Sequence, residues 1–413
     1  MMGKAETQIR NENTQELFVR ILFIVLWAQS TIMPYVAQIF RRLPIIGNFY
    51  GRFVGAIILM LFILSFRKII KKMTLFDMLF FLTMAIVVLV SLAFYPRNAE
   101  YIEPEIGNIL FSVLPMYLFG VCYDHELVKK DLYIVSIGGL IIKALTLGAS
   151  VKAEEIGYGY DMQAAYVALP NAMYVLYWAF EKKKLLTWIP PILSFALLCA
   201  YGTRGPLLAY ALYFGFLVFF SVSSKKKATR VLIIVVVALL LIVFVASNMF
   251  MEIIEKAAEL FNDIGLSTRI FDKILEGELT DDSGRAYLTA KVTEAISENW
   301  IFGLGYMGDR TVLDGVYTHN IFLEIICTFG VPLGCLLLFI LVTVSILALV
   351  KTYSKPEFYF VALMVMFVFI RLMFSGSYAT ERYFYFMLGI CASVIRKYKG
   401  EGKKTGGYKN ESL

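Results

Sequence analysis

Apolar runs recur along the chain from residue 17 to residue 395, and most approach the roughly 20 residues a helix needs to cross a hydrocarbon core. They predict helices over 17–40, 46–66, 73–95, 106–123, 132–150, 161–180, 185–201, 206–222, 231–250, 321–350, 358–375 and 379–395. The fold expected is all-α: a polytopic integral membrane bundle of about twelve transmembrane helices with one long helical extracytoplasmic loop. Residues 1–250 would hold helices one to nine, 251–320 the loop, 321–395 helices ten to twelve, and 396–413 a basic tail.

Short polar segments between the runs alternate in charge. RKIIKK (67–72), DHELVKKD (124–131), EKKK (181–184), SSKKKATR (223–230), KTYSK (351–355) and the tail RKYKGEGKK (396–404) are rich in Lys and Arg. The opposite set offers only Arg41, Arg42, Arg52, Arg97, Lys152, Arg204 and Arg382. Basic loops face the cytoplasm, so both termini are expected inside. The first run is too long for a signal-peptide core and reads as a retained signal anchor.

Between 251 and 320 the sequence turns polar. MEIIEKAAELFNDI (251–264) places Ile253, Ile254, Ala257, Leu260, Phe261 and Ile264 at helical spacing, which predicts a surface helix. SGRAYLTAKVTEAISENW predicts a second, with Ser283 as its N-cap. Gly303-Leu-Gly305-Tyr-Met-Gly308 has the G-x-G-x-x-G spacing, but no strand precedes it. It reads instead as a flexible glycine turn whose backbone approaches another segment closely.

Composition sharpens the picture by exclusion. The 413 residues are 59% apolar and 17% charged, with a mean hydropathy of +0.71, far from a soluble domain. Two histidines and five cysteines argue against a metal cluster or a disulfide scaffold. The net charge of +7 fits contact with anionic headgroups and does not ask for nucleic acid. No phosphate-binding G-x-x-x-x-G-K-[ST] loop occurs. Asp281, Asp282, Asp309 and Asp314 lack a recognisable ligand spacing, and a solvated acidic face accounts for them equally well.

The informative polar residues sit at the loop ends of the spans. His319 lies at the mouth of the tenth predicted helix, where an imidazole near its ordinary pKa suits proton transfer from a hydroxyl. Arg204 stands in a tight turn and Arg285 opens the second loop helix, while Lys143 and Arg371 interrupt apolar runs. A guanidinium binds phosphate oxygens in a fork, so such residues suit a diphosphate leaving group. Lys143 is expected to reach lipid phosphates; Arg371 fits that role and a charged partner equally. Asn320 and Glu324 are accessory positions, and a buried Glu324 paired with an arginine is the plainer reading of that carboxylate.

TRG at 203–205, SGR at 283–285, NWIFGLG at 299–305 and THNIFLEIICTFG at 318–330 occur in an order that resembles the O-antigen ligase and polymerase superfamily. A weaker echo is GYDMQAAYVALPNAM. The resemblance implies a bacterial inner-membrane glycosyltransferase, inverting and independent of metal, nucleotide or other cofactor, with its active face extracytoplasmic. Its donor would be an undecaprenyl-diphosphate-linked oligosaccharide. By that similarity Arg204 and Arg285 would hold the diphosphate, and His319 would orient or deprotonate the acceptor; Arg371 is a further diphosphate candidate from its place in the apolar run alone. Partners implied are membrane lipid, a flippase and chain-length regulator proteins.

Trp300 and Ile301 stand where the family loop often has proline, and Thr203 where serine is frequent. The leading expectation is a polymerase that transfers a growing lipid-linked chain onto the next lipid-linked repeat unit, and the alternative is a ligase that delivers the finished glycan to another acceptor. A twelve-span transporter or flippase is the remaining alternative, although no internal repeat supports two matching halves.

Overall fold

The computed structural model describes residues 2–32, 50–155, 162–221, 248–263, 268–276 and 285–398. Every regular element among them is helical. The helices are α1 (Met2–Thr31), α2 (Tyr50–Lys72), α3 (Leu75–Phe94), the composite α4 (Pro96–Cys122), α5 (His125–Glu155), α6 (Met162–Lys182), α7 (Ile189–Ala200) and α8 (Arg204–Ser221). After them come α9 (Asn248–Asp263), α10 (Arg269–Leu275), α11 (Arg285–Glu298), the single turn α12 (Gly308–Val312), α13 (Ile321–Thr352), α14 (Phe358–Phe374) and α15 (Arg382–Lys397).

Among the described residues α3, α4, α8 and α13 are long and apolar enough to cross a membrane. Most of the ninth expected helix, 231–250, lies outside the described residues, as do Ser283, Asp281, Asp282 and the tail beyond 398. The expected surface helix is α9, which starts at Asn248 and continues through 251 to Asp263. α12 had no counterpart in the apolar pattern, being one turn long.

The chain divides into two compact units. The first comprises Met1–Trp27, Ala37–Lys129 and Gly284–Leu413. Its α4 and α15 cross at glycines: a Cβ on Gly120 would overlap Phe386 O, and one on Gly389 would overlap Tyr117 O. Small residues permit this close approach, which is how helices gain contact without a hydrophobic drive in lipid. Trp27, Phe360, Tyr383 and Phe386 interlock as tilted and edge-on aromatic rings nearby. In α3, by contrast, Leu75, Phe76, Leu82 and Leu89 are all more than half exposed, as a lipid-facing helix requires.

The second unit, Ala28–Val36 and Lys130–Ser283, is centred on α6, whose residues from Ala164 to Tyr177 are almost all buried. Pro190 and Pro191 fall in the first turn of α7, where a missing N–H costs nothing, so they do not break a span. Lys143 is only 5% exposed, and its carbonyl accepts the Tyr201 hydroxyl at 3.1 Å. It does not reach out to headgroups as its place in the apolar run suggested, because the surrounding unit encloses it.

α13 is broken rather than continuous. Gly330 has φ +75° and Pro332 follows, so the residues up to Phe329 form one helical piece and 331–352 another. The second piece is roughly 33 Å long at 1.5 Å per residue, the thickness of a hydrocarbon core.

Candidate functional site

The break in α13 leaves two carbonyls without their usual helical donors. Val331 N–H turns away to Trp300 O at 2.7 Å, and Pro332 has no N–H to give Thr328 O. The glycine turn supplies replacements: Leu304 N–H donates to Cys327 O at 2.7 Å and Gly305 N–H to Thr328 O at 3.1 Å. Gly303 and Gly305 have φ of +69° and +77°, and a Cβ on Gly303 would strike the backbone of Gly330. The close approach expected of this turn is therefore present. The turn is held from the other side too. Tyr95 OH donates to Gly303 O at 3.1 Å, Asn98 Nδ2 donates to Leu304 O at 2.8 Å, and Tyr306 N–H donates to Ser91 Oγ at 2.7 Å.

This seating delivers Asp309 and Arg310 into the interior. Arg310 lies 2.9 Å from Asp309 Oδ1 and 3.4 Å from Glu324 Oε1, and it donates to Ser377 Oγ at 2.7 Å. Glu324 is 1% exposed and also accepts from Ser377 Oγ and, at 3.0 Å, from Tyr378 N–H. Asp309, also 1% exposed, is no solvated acid: Arg310 holds one oxygen and Thr318 N–H the other at 3.1 Å. Burial raises its carboxyl above the ordinary range in spite of Arg310 and Thr318. One guanidinium thus ties together α12, α13 and the connection between α14 and α15.

The segment carrying His319 is suspended from this cluster. Thr318 N–H is fixed by Asp309, and Thr318 Oγ1 donates to Asn320 O at 3.2 Å. Asn320 caps α13, its side chain accepting from Phe322 N–H at 3.0 Å and Leu323 N–H at 3.4 Å. Between them His319 has φ +53°, a left-handed conformation that costs a non-glycine residue about 1–3 kcal/mol. Such strain persists only where the surroundings impose it.

The His319 ring lies 4.1 Å, centroid to centroid, from that of Tyr317. Tyr317 OH donates to Ser375 O at 3.0 Å, and Arg285 Nη2 donates to the adjacent Phe374 O at 3.1 Å. Arg285 and His319 thus converge on the end of α14. Burial, with the Arg285 charge adding to it, pushes the His319 imidazole from 6.5 down to about 4. At neutral pH the ring is therefore uncharged. Its Nδ1 is buried and has no hydrogen-bond partner among the described residues. Arg371 is ion-paired with Glu381 across the α14–α15 connection, so the charged-partner reading of that arginine holds, and its charge also acts on Tyr317.

Of the residues singled out from the sequence, His319, Asn320, Glu324, Arg285 and Arg371 belong to this first unit. Arg204 opens α8 in the second unit, after Gly202 at φ +62° and the buried Thr203. Reading the sequence alone passed over Arg310, Tyr317, Ser377, Tyr378 and Glu381. The hydroxyl-rich stretch SGSYATE (375–381) between two apolar runs was the available signal for the last three.

A helical chain with a neutral buried imidazole under the influence of the Arg285 charge is similar to a known family in part of its length. Residues 191–339 match the family model described as O-antigen ligase. The match covers 149 of the 413 residues and shows a likeness to O-antigen ligases over that stretch, in a chain with helices long and apolar enough to cross a membrane. The matched stretch contains Arg204, Arg285, His319, Asn320 and Glu324 and ends before Arg371. Comparison with curated proteins and with solved structures gives no match.

Proposed function

We propose that the protein polymerises a bacterial surface polysaccharide, moving a growing glycan from undecaprenyl diphosphate to a hydroxyl of the next lipid-linked repeat unit. The observation carrying this reading is the neutral His319 beside Arg285 at the end of α14. In the proposed step the acceptor hydroxyl gives its proton to the imidazole, and its oxygen forms the new bond to the anomeric carbon with inversion. The bond from that carbon to the diphosphate breaks, and undecaprenyl diphosphate leaves with the electron pair. The proton then passes from the imidazole to water. Arg285 and Arg371 of the first unit are assigned to the diphosphate oxygens, and Arg204 is proposed for that role on its motif alone.

The arriving polyanion would also raise the affinity of His319 for a proton, offsetting the Arg285 charge and bringing the ring closer to the pKa an efficient base needs. No metal or nucleotide enters this scheme. Twelve spans, cytoplasmic termini and an extracytoplasmic site complete the proposal.

The second reading is a ligase that delivers the finished glycan to a different acceptor, which the family match accommodates equally. The deciding assay gives purified protein a lipid-diphosphate-linked repeat unit as sole substrate and resolves the products on a gel, beside Arg285→Ala. A ladder of lengthened lipid-linked chains that vanishes in the variant supports the polymerase. Transfer that starts only when a separate acceptor is added supports the ligase. Neither product with any acceptor would sink both.

A further inference from the structure

Directly before the glycine turn, Trp300, Ile301 and Phe302 are 53%, 47% and 80% exposed. Three consecutive large apolar side chains left uncovered mark a contact surface. Their level in the molecule is fixed by two membrane-crossing helices. Trp300 O receives the N–H of Val331, the first residue of the crossing piece of α13. Gly303 O receives the hydroxyl of Tyr95, the C-cap of α3, and the last residue of that helix, Phe94, is 76% exposed. Both crossings therefore end where the tip projects, and the exposed faces of α3 and of α13 at Leu333 and Leu336 run up to it.

We propose that Trp300–Ile301–Phe302 is an interfacial anchor that enters the boundary between headgroups and acyl chains of the leaflet at this end of the bundle. Indole and phenyl rings favour that boundary. Continuity with the lipid-facing sides of two spans identifies acyl chains, not a protein groove, as the occupant. The anchor runs through the glycine turn into Asp309 and Arg310, so it ties the depth of the His319 segment to the bilayer surface. The inference rests on the membrane-crossing helices and is independent of the transfer reaction.

The test uses the full chain reconstituted in phosphatidylcholine–phosphatidylglycerol vesicles with plain or brominated acyl chains. The protein has 4 Trp, so the difference in fluorescence between wild type and Trp300→Phe isolates this indole. The expected difference spectrum is blue-shifted, loses most of its intensity in brominated vesicles and is shielded from aqueous iodide. An indole quenched by iodide and indifferent to brominated lipid overturns the proposal. Phe302→Trp repeats the measurement by addition: the indole gained should show the same lipid quenching, and failure there counts equally against the anchor.

Discussion

Removing the guanidinium of Arg310 is the most demanding test of the cluster beneath His319. Its separations of 2.9 Å from Asp309 and 3.4 Å from Glu324 correspond to about 5 kcal/mol of attraction each at an effective dielectric near 20. Desolvating three charged groups offsets much of that, so the pair attractions are not net stability. Arg310→Met, however, leaves two carboxyl groups that are each 1% exposed with no cation. Breaking a buried pair in this way costs about 3–5 kcal/mol.

Asp309→Asn removes one of the orphaned carboxylates, so the double variant Asp309→Asn/Arg310→Met should be more stable than the two separate losses imply, by a coupling of about 1–3 kcal/mol. Reversible unfolding in mixed micelles, followed by circular dichroism for the four proteins, yields that coupling. If the two losses add to within about 0.5 kcal/mol, the cluster is not a coupled unit and the reasoning fails. The same variant should also release Tyr317, over whose ring Arg310 sits at 5.7 Å, and lower kcat more than it raises KM.

In the lipid-linked transfer assay His319→Ala should lower kcat by about 100- to 10,000-fold, the usual yield of general base catalysis, and a change below tenfold would remove His319 from that role. The depressed imidazole also predicts a stability slope. Between about pH 4 and 6.5 the unfolded chain binds a proton at His319 and the folded chain does not, so stability rises with pH across that window. His319→Gln should flatten this part of the profile, and an unchanged slope would contradict the burial of the ring. Gly330→Ala forces a Cβ at φ +75° to within 2.9 Å of Trp300 O, and a loss of at least about 1–3 kcal/mol in the same unfolding assay is expected.

What could be read from the sequence was what the lipid imposes locally. Apolar runs mark α3, α4, α8 and α13 because backbone amides in hydrocarbon must be satisfied within each helix. His319 and Arg285 stood out by residue type and position before a resemblance of motifs gave them roles, and Glu324 had the buried arginine partner of its plainer reading, although nothing named Arg310 as that partner. Asp309 looked solvated because its two partners are decided by how the chain folds back at Gly303–Gly308, not by the residues beside it. Lys143 was misread for a related reason: a helix apolar on every side does not reveal which face meets lipid and which meets protein. Ser377 and Tyr378 reach Glu324 across 53 and 54 residues, distances over which neither periodicity nor spacing carries information.

The broken helix also constrains how the protein is made. Cys327 and Thr328 carry carbonyls that the helix itself does not satisfy, and Leu304 and Gly305 are their donors. Those donors come off the ribosome before the acceptors, and Ser91, Tyr95 and Asn98, which grip the turn from behind, come earlier still. Synthesis therefore lays down the socket first, the turn next and the interrupted helix last. When α13 arrives, the partners for its exposed backbone have already emerged, so a helix that would be costly to insert alone finds them waiting.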